Sequence, residues 1–218
     1  PPMNKLAATL WTWLTSLMPE AGTAPDGGRV RQRTLVLIRW VAVIGQTAAL
    51  VIVAVSLGYC LPVAPAFLAV GASIAINLHA EFARPGGEWL SERAASLYLG
   101  YDLLQLTFLL GLTGGMANPF AILILAPVTV SASLLSRATT LLLATLAVAA
   151  ASVIALAHLP LPWPGGGLEL PTLYILGNWL ALVLAVLFIG VYVLALAREA
   201  QRRSDALAAT QMALAREQ

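Results

Sequence analysis

The stretch TGGMANPF at 113–120 sets two glycines, an asparagine, a proline and an aromatic between two long apolar runs. Gly114 and Gly115 can take the positive φ values that end a helix. Asn118 is a good N-cap, and Pro119 is favoured at the first helical position. The same residues suit a small ligand. A Gly-rich approach leaves backbone N–H groups uncovered, and the start of the next helix adds the positive end of a dipole. Asn118 supplies an amide donor, and Phe120 a flat apolar wall. A flat ring with two carbonyl acceptors, entering sideways from lipid, matches such a set. A second group lies just upstream: Asp102, with Gln105 on the same helical face and Tyr101 adjacent. An acid inside an apolar run must be protonated or specifically paired.

The elements that position these residues follow from composition. The chain has 218 residues, 60% of them hydrophobic and 10% charged, with a mean hydropathy of +0.86. Globular domains carry about 25% charged residues, so this is a polytopic membrane protein. The formal charge of +2 gives no reason to expect a nucleic-acid partner. One cysteine, Cys60, precludes a disulfide within the chain and a Cys-His metal cluster. No residue set is assigned a catalytic role.

Runs of about 20 apolar residues suffice to cross the hydrocarbon. They occur at 35–57, 63–81, 95–112, 119–136, 138–158 and 172–197, separated by Gly, Pro and Ser-Arg punctuation. The expected fold is all-α: a six-helix transmembrane bundle, flanked by an N-terminal interfacial helix and a C-terminal cytoplasmic signalling helix. In the first of these, Leu6, Leu10, Trp13, Leu14 and Leu17 share a face, as in a helix lying on the inner leaflet. Residues 1–28 form that segment, 29–197 the membrane domain, and 198–218 a polar, Ala-rich continuation of the last span. Leu196, Arg203, Leu207, Thr210 and Leu214 have spacings compatible with a coiled-coil seam.

With six spans, all twelve basic residues fall on one side. Lys5, Arg29, Arg31, Arg33 and Arg39 precede or open span one. Arg84 and Arg93 follow span two, Arg137 follows span four, and Arg198, Arg202, Arg203 and Arg216 follow span six. The positive-inside rule then puts both termini in the cytoplasm. Gln46, Asn77 and Asn178 lie in spans one, two and six, where interhelical hydrogen bonds worth about 1 kcal/mol or less are the ordinary role. His79 and His158 fall at opposite ends of their spans, on the order of 20–30 Å apart in depth, which argues against a shared haem.

The heptapeptide Gly114-Gly115-Met116-Ala117-Asn118-Pro119-Phe120 resembles the GGxxNPF motif of the RegB/PrrB/ActS redox-sensing histidine kinases. RTLVLIRWVAVIGQ at 34–47, GYDLLQL before the motif and LAPVTVSA after it are similar too, so the resemblance covers nearly all of 30–218. It implies an inner-membrane sensor of the ubiquinone pool. Gly114, Gly115, Asn118, Pro119 and Phe120 would bind quinone, with Tyr101, Asp102 and Gln105 as a possible outer layer. It also implies a homodimer, and a response regulator reached through a kinase domain. The family's phosphoacceptor histidine, ATP-binding domain and redox-active cysteine have no counterpart up to residue 218, so these residues are expected to bind and signal but not to phosphorylate. Metal and haem are not expected. Two other functions fit the composition: a small proton-coupled transporter using Asp102 and Gln105, and a quinone-binding anchor subunit of a redox complex.

The topology has a direct check. A cysteine replacing Arg137 in a Cys60→Ser background should react with a membrane-impermeant thiol reagent only from the cytoplasmic face. Reaction from the outer face contradicts the six-span arrangement.

Overall fold

Hydrocarbon offers no hydrogen-bond partners, so each spanning segment must satisfy its own backbone. The computed structural model describes residues 30–83, 89–163, 166 and 168–217. The N-terminal interfacial helix expected at 1–28, and Arg29 and Arg84, lie outside these residues.

The chain enters through a two-residue strand, β1 (Val30–Arg31), and helix α1 (Gln32–Val51), which ends in a π-helical turn, Ile52–Ser56. Helix α2 (Val63–Ala83) is followed by β2 (Trp89–Leu90), antiparallel to β1, with Val30 opposite Leu90. This small clip holds the start of α1 against the start of α3 (Glu92–Leu112). Ser91 caps α3, accepting from the Ala94 N–H. After a 3-10 turn at Gly115–Ala117, a 3-10 segment, Pro119–Ile124, leads into α4 (Leu125–Leu134). Helix α5 (Arg137–Leu156) is capped by Ser136, and α6 (Thr172–Glu217) is one unbroken helix. Glu92 on α3 accepts from the Ser136 N–H at 3.0 Å and from the Thr139 hydroxyl, which pins the α4–α5 corner.

The all-α bundle expected from the sequence is the observed fold, with one difference in its fourth member. Among the described residues, five helices contain segments long and apolar enough to cross a membrane: Gln32–Ser56, Val63–Phe82, Glu92–Leu112, Arg137–Leu156 and Thr172–Tyr192. The fourth span, expected at 119–136, is the shorter apolar stretch Pro119–Leu134. Its first six residues are 3-10 helix and its last ten α-helix. The 3-10 form rises about 2.0 Å per residue against about 1.5 Å, so the stretch is about 27 Å long, close to the hydrocarbon thickness of about 30 Å.

Helix α3 is the hub. Leu103, Leu106 and Leu110 pack with Met116, Val128, Ile154 and Val186, joining α3 to α4, α5 and α6. Leu99 meets Leu35 and Leu143, and Leu109 meets Val43, Leu50 and Val70. Ala147 and Ala151 on α5 are fully buried, small residues that allow close helix approach. The exterior is apolar, with Val41, Ile44, Leu68, Leu142 and Phe188 all exposed, as a lipid-facing surface requires. Beyond Tyr192, α6 continues to Glu217, and its full length is about 69 Å. The side chains at 207–214 of the possible coiled-coil seam lie outside the described residues.

Gly115 supplies a test of this packing. Its φ is +55°, and a Cβ there would meet the Ile154 carbonyl oxygen and the His158 ring. Gly115→Ala should destabilise the bundle by about 1–3 kcal/mol. Gly45→Ala, in open space on α1, should leave thermal stability in detergent nearly unchanged.

Candidate functional site

Two polar constructions stand out, at different depths along α3. The first is the turn at 113–120, the outer turn in the orientation that the basic residues predict. Thr113 caps α3, its N–H donating to the Leu110 carbonyl at 2.9 Å and its hydroxyl to the Leu109 carbonyl at 2.8 Å. Gly114 (φ +108°) and Gly115 (φ +55°) then reverse the chain. Asn118 closes the turn. Its Oδ1 accepts the Phe120 N–H at 2.9 Å, and its Nδ2 donates to the Thr113 carbonyl at 2.9 Å and hydroxyl at 2.8 Å. Pro119 stands at the first position of the helix that follows. The capping roles read from the sequence are therefore present.

The uncovered backbone anticipated for the glycines is not. A Cβ on Gly114 would lie 2.6 Å from a methyl of Leu161, and one on Gly115 would lie 2.6 Å from the His158 ring. The glycines are needed because α5 and the loop after it press directly on the turn. The same loop is anchored by the Leu159 N–H donating to the Gly111 carbonyl at 2.8 Å. The Asn118 amide, expected to donate to a ligand, spends its donors on Thr113 in this arrangement. Phe120 is 46% exposed on the bundle exterior. Beside the turn lies a largely apolar cavity of about 460 Å³, walled by Leu112, Leu159, Cys60 and Trp163 among others. Met116 is buried, and its carbonyl accepts from Asn178 Nδ2 on α6 at 3.0 Å. Next to Asn178, the Trp179 indole donates to Ser152 of α5 at 3.0 Å.

The second construction joins α1, α2 and α3. Gln32, Arg39 and Gln46 recur every seven residues and so share one face of α1. Arg39 donates through Nε to both carboxylate oxygens of Asp102, at 2.9 and 3.0 Å. Its guanidinium lies over the rings of Tyr98 (4.9 Å) and Tyr101 (5.7 Å), a cation–π arrangement. The Tyr101 hydroxyl is 3.1 Å from that of Ser73. Asn77 donates to the Val36 carbonyl at 3.3 Å, and Gln32 to the Ala80 carbonyl. Gln46 and Gln105 exchange amide hydrogen bonds at 3.3 and 3.0 Å.

Two sequence expectations change here. Arg39, counted with the cytoplasmic flank, lies inside α1 and is 4% exposed. The snorkelling typical of arginine at a helix end is overridden by a carboxylate within reach. Tyr101, Asp102 and Gln105 do not surround the outer turn: along α3, Asp102 is about 16 Å from Thr113. They belong to the α1–α3 layer. A lone arginine in one apolar run and a lone aspartate in another was the sequence signal for this pair. His79, on α2, and His158, after α5, stand towards opposite ends of the bundle.

The described residues form a multi-pass all-α bundle whose last helix runs far past its apolar part and is bonded to the turn at 113–120. No protein-family model matches the chain, and no solved structure matches it significantly. The chain is 49% identical over 189 residues to the sensor histidine kinase RegB of Cereibacter sphaeroides, covering 86% of this chain and 41% of the relative. A second RegB of that species is 49% identical over 193 residues, covering 88% and 42%. At that identity the chain is homologous to the RegB sensor histidine kinases and carries a RegB-type sensor region. It spans about two fifths of the length of these relatives.

Removing the Asp102 carboxylate leaves a buried guanidinium uncompensated. Asp102→Ala should cost about 3–5 kcal/mol of stability, and the double variant Arg39→Met/Asp102→Leu should recover most of it. Thermal unfolding in detergent checks both. Equal losses in the single and double variants contradict the pairing.

Proposed function

We propose that the chain is the part of a redox-sensing histidine kinase that binds ubiquinone and reports the state of the quinone pool to a cytoplasmic kinase domain. The hydrogen bond between the Met116 carbonyl and Asn178 carries this reading. It bonds the heptapeptide directly to α6, the helix that leaves the bundle towards the expected kinase. Both termini lie in the cytoplasm, the protein acts as a homodimer, and a response regulator receives the phosphoryl group from the kinase domain.

Gly114, Gly115, Asn118, Pro119 and Phe120 form the headgroup site. Phe120 packs on the ring, the isoprenoid tail runs between helices into lipid, and Pro119 fixes the start of the following helix. The Asn118 amide exchanges Thr113 for a quinone carbonyl. That exchange loosens the Thr113–Asn118 closure and shifts Met116, and with it Asn178 and α6. Quinone and quinol present different hydrogen-bonding groups to Asn118, so they stabilise the two arrangements unequally. Only such a difference can move the equilibrium. A proton-coupled carrier is less well supported, because beyond Gln46 and Gln105 the α1–α3 seam is packed with Leu50, Leu109, Ala66 and Val70.

Loss of one neutral hydrogen bond costs about 0.5–1.5 kcal/mol, roughly threefold to tenfold in affinity. Asn118→Ala and Phe120→Ala should each weaken ubiquinone binding in nanodiscs by about that factor, with thermal stability as the control. Unchanged affinity in both variants returns these residues to a purely structural role.

A further inference from the structure

The α1–α3 layer contains more hydrogen-bonding capacity than it uses. Arg39 engages Asp102 through Nε alone, and its Nη1 and Nη2 are buried without a partner. Oδ1 of the fully buried Asn77 is in the same condition. An arginine serving only to neutralise a carboxylate normally presents two nitrogens to it, because the fork matches both oxygens. Here the Nη edge is turned elsewhere, and buried donors left unmatched bear the full cost of lost hydration.

Charge selects what fits that edge. Arg39 and Asp102 together are neutral. An added anion would bring net charge into low dielectric, and a cation would meet only donors. A neutral acceptor, such as a carbonyl oxygen, meets neither penalty. The surroundings select the shape. Tyr98 and Tyr101, the rings beneath the guanidinium, also line a predominantly apolar cavity of about 340 Å³ with Ile76, Ala94 and Leu97. Leu97 is 74% exposed on the lipid-facing exterior, so the cavity lies open to lipid. Those two rings lie 4.9 and 5.7 Å from the Arg39 guanidinium carbon.

We infer that the α1–α3 layer is a headgroup site for a flat, neutral, carbonyl-bearing lipid of the quinone class, entered through the Tyr98–Tyr101 cavity and hydrogen-bonded by Arg39 Nη. The inference rests on the quinone reading above and adds a position about 16 Å along α3 from the outer turn. Movement of the tyrosine rings brings a quinone carbonyl to the guanidinium. A quinol hydroxyl is a poorer acceptor than a carbonyl, so this edge favours the oxidised form.

The test uses a short-tail azido-ubiquinone with the unmodified chain in lipid nanodiscs, followed by peptide mapping. Labelling within 94–101, displaced by excess ubiquinone, is expected. Arg39→Lys keeps a cation for Asp102 but lacks the Nη edge, and should lower short-tail ubiquinone affinity about tenfold. Displaceable label confined to 112–124 or 159–166 overturns this site while leaving the quinone reading intact. Unchanged affinity in a folded Arg39→Lys protein also overturns it. Absence of any saturable ubiquinone binding to the unmodified chain overturns both.

Discussion

A guanidinium and a carboxylate cannot remain apart in hydrocarbon, and the Arg39–Asp102 contact is the constraint around which α1, α2 and α3 are arranged. The pair fixes the rotation of α1 about its axis and its height against α3. Once those are set, the seven-residue spacing brings Gln32 against α2 at one end of the layer and Gln46 against Gln105 at the other. Each contact is worth little on its own. Together they exclude sliding of α1, because a shift of one turn would strand several polar groups at once. The β1–β2 clip reinforces the same register where the helices begin.

The other half of the bundle is organised by close packing. Two glycines with positive φ let the outer turn lie directly on α5 and on Leu161. Asn118 seals the turn, and Asn178 bonds its buried centre to α6. Helix α3 belongs to both halves. Asp102 fixes its middle against α1, and Thr113 supplies two of the acceptors that close the turn at its end. A displacement of the turn therefore acts on α6 directly, and on the α1–α3 layer through a rigid helix. That geometry couples both positions to α6, which runs on past the apolar part of the bundle.

Much of this was legible in the sequence because it depends on local rules. Apolar run length gave the helices, Asn118-Pro119 gave the N-cap, and Gln46 and Asn77 form interhelical bonds, while Asn178 bonds α6 to the turn at Met116. What was not legible depends on partners distant in sequence. Counting Arg39 with the flanking basic residues hid its role, since its burial follows only from the position of Asp102. The tightness around Gly115 comes from the Ile154 carbonyl and His158, which no local pattern places there. The 3-10 start of the fourth helix lets a short apolar stretch extend further, a choice that apolar length alone does not encode.

We propose that this membrane region holds a quinone. The most direct measurement is organic extraction of the chain purified from native membranes in mild detergent, with quinone quantified by mass spectrometry against phospholipid carry-over. Ubiquinone should approach one molecule per chain, well above its proportion in the surrounding lipid. Ubiquinone present only in proportion to carried-over phospholipid would contradict it.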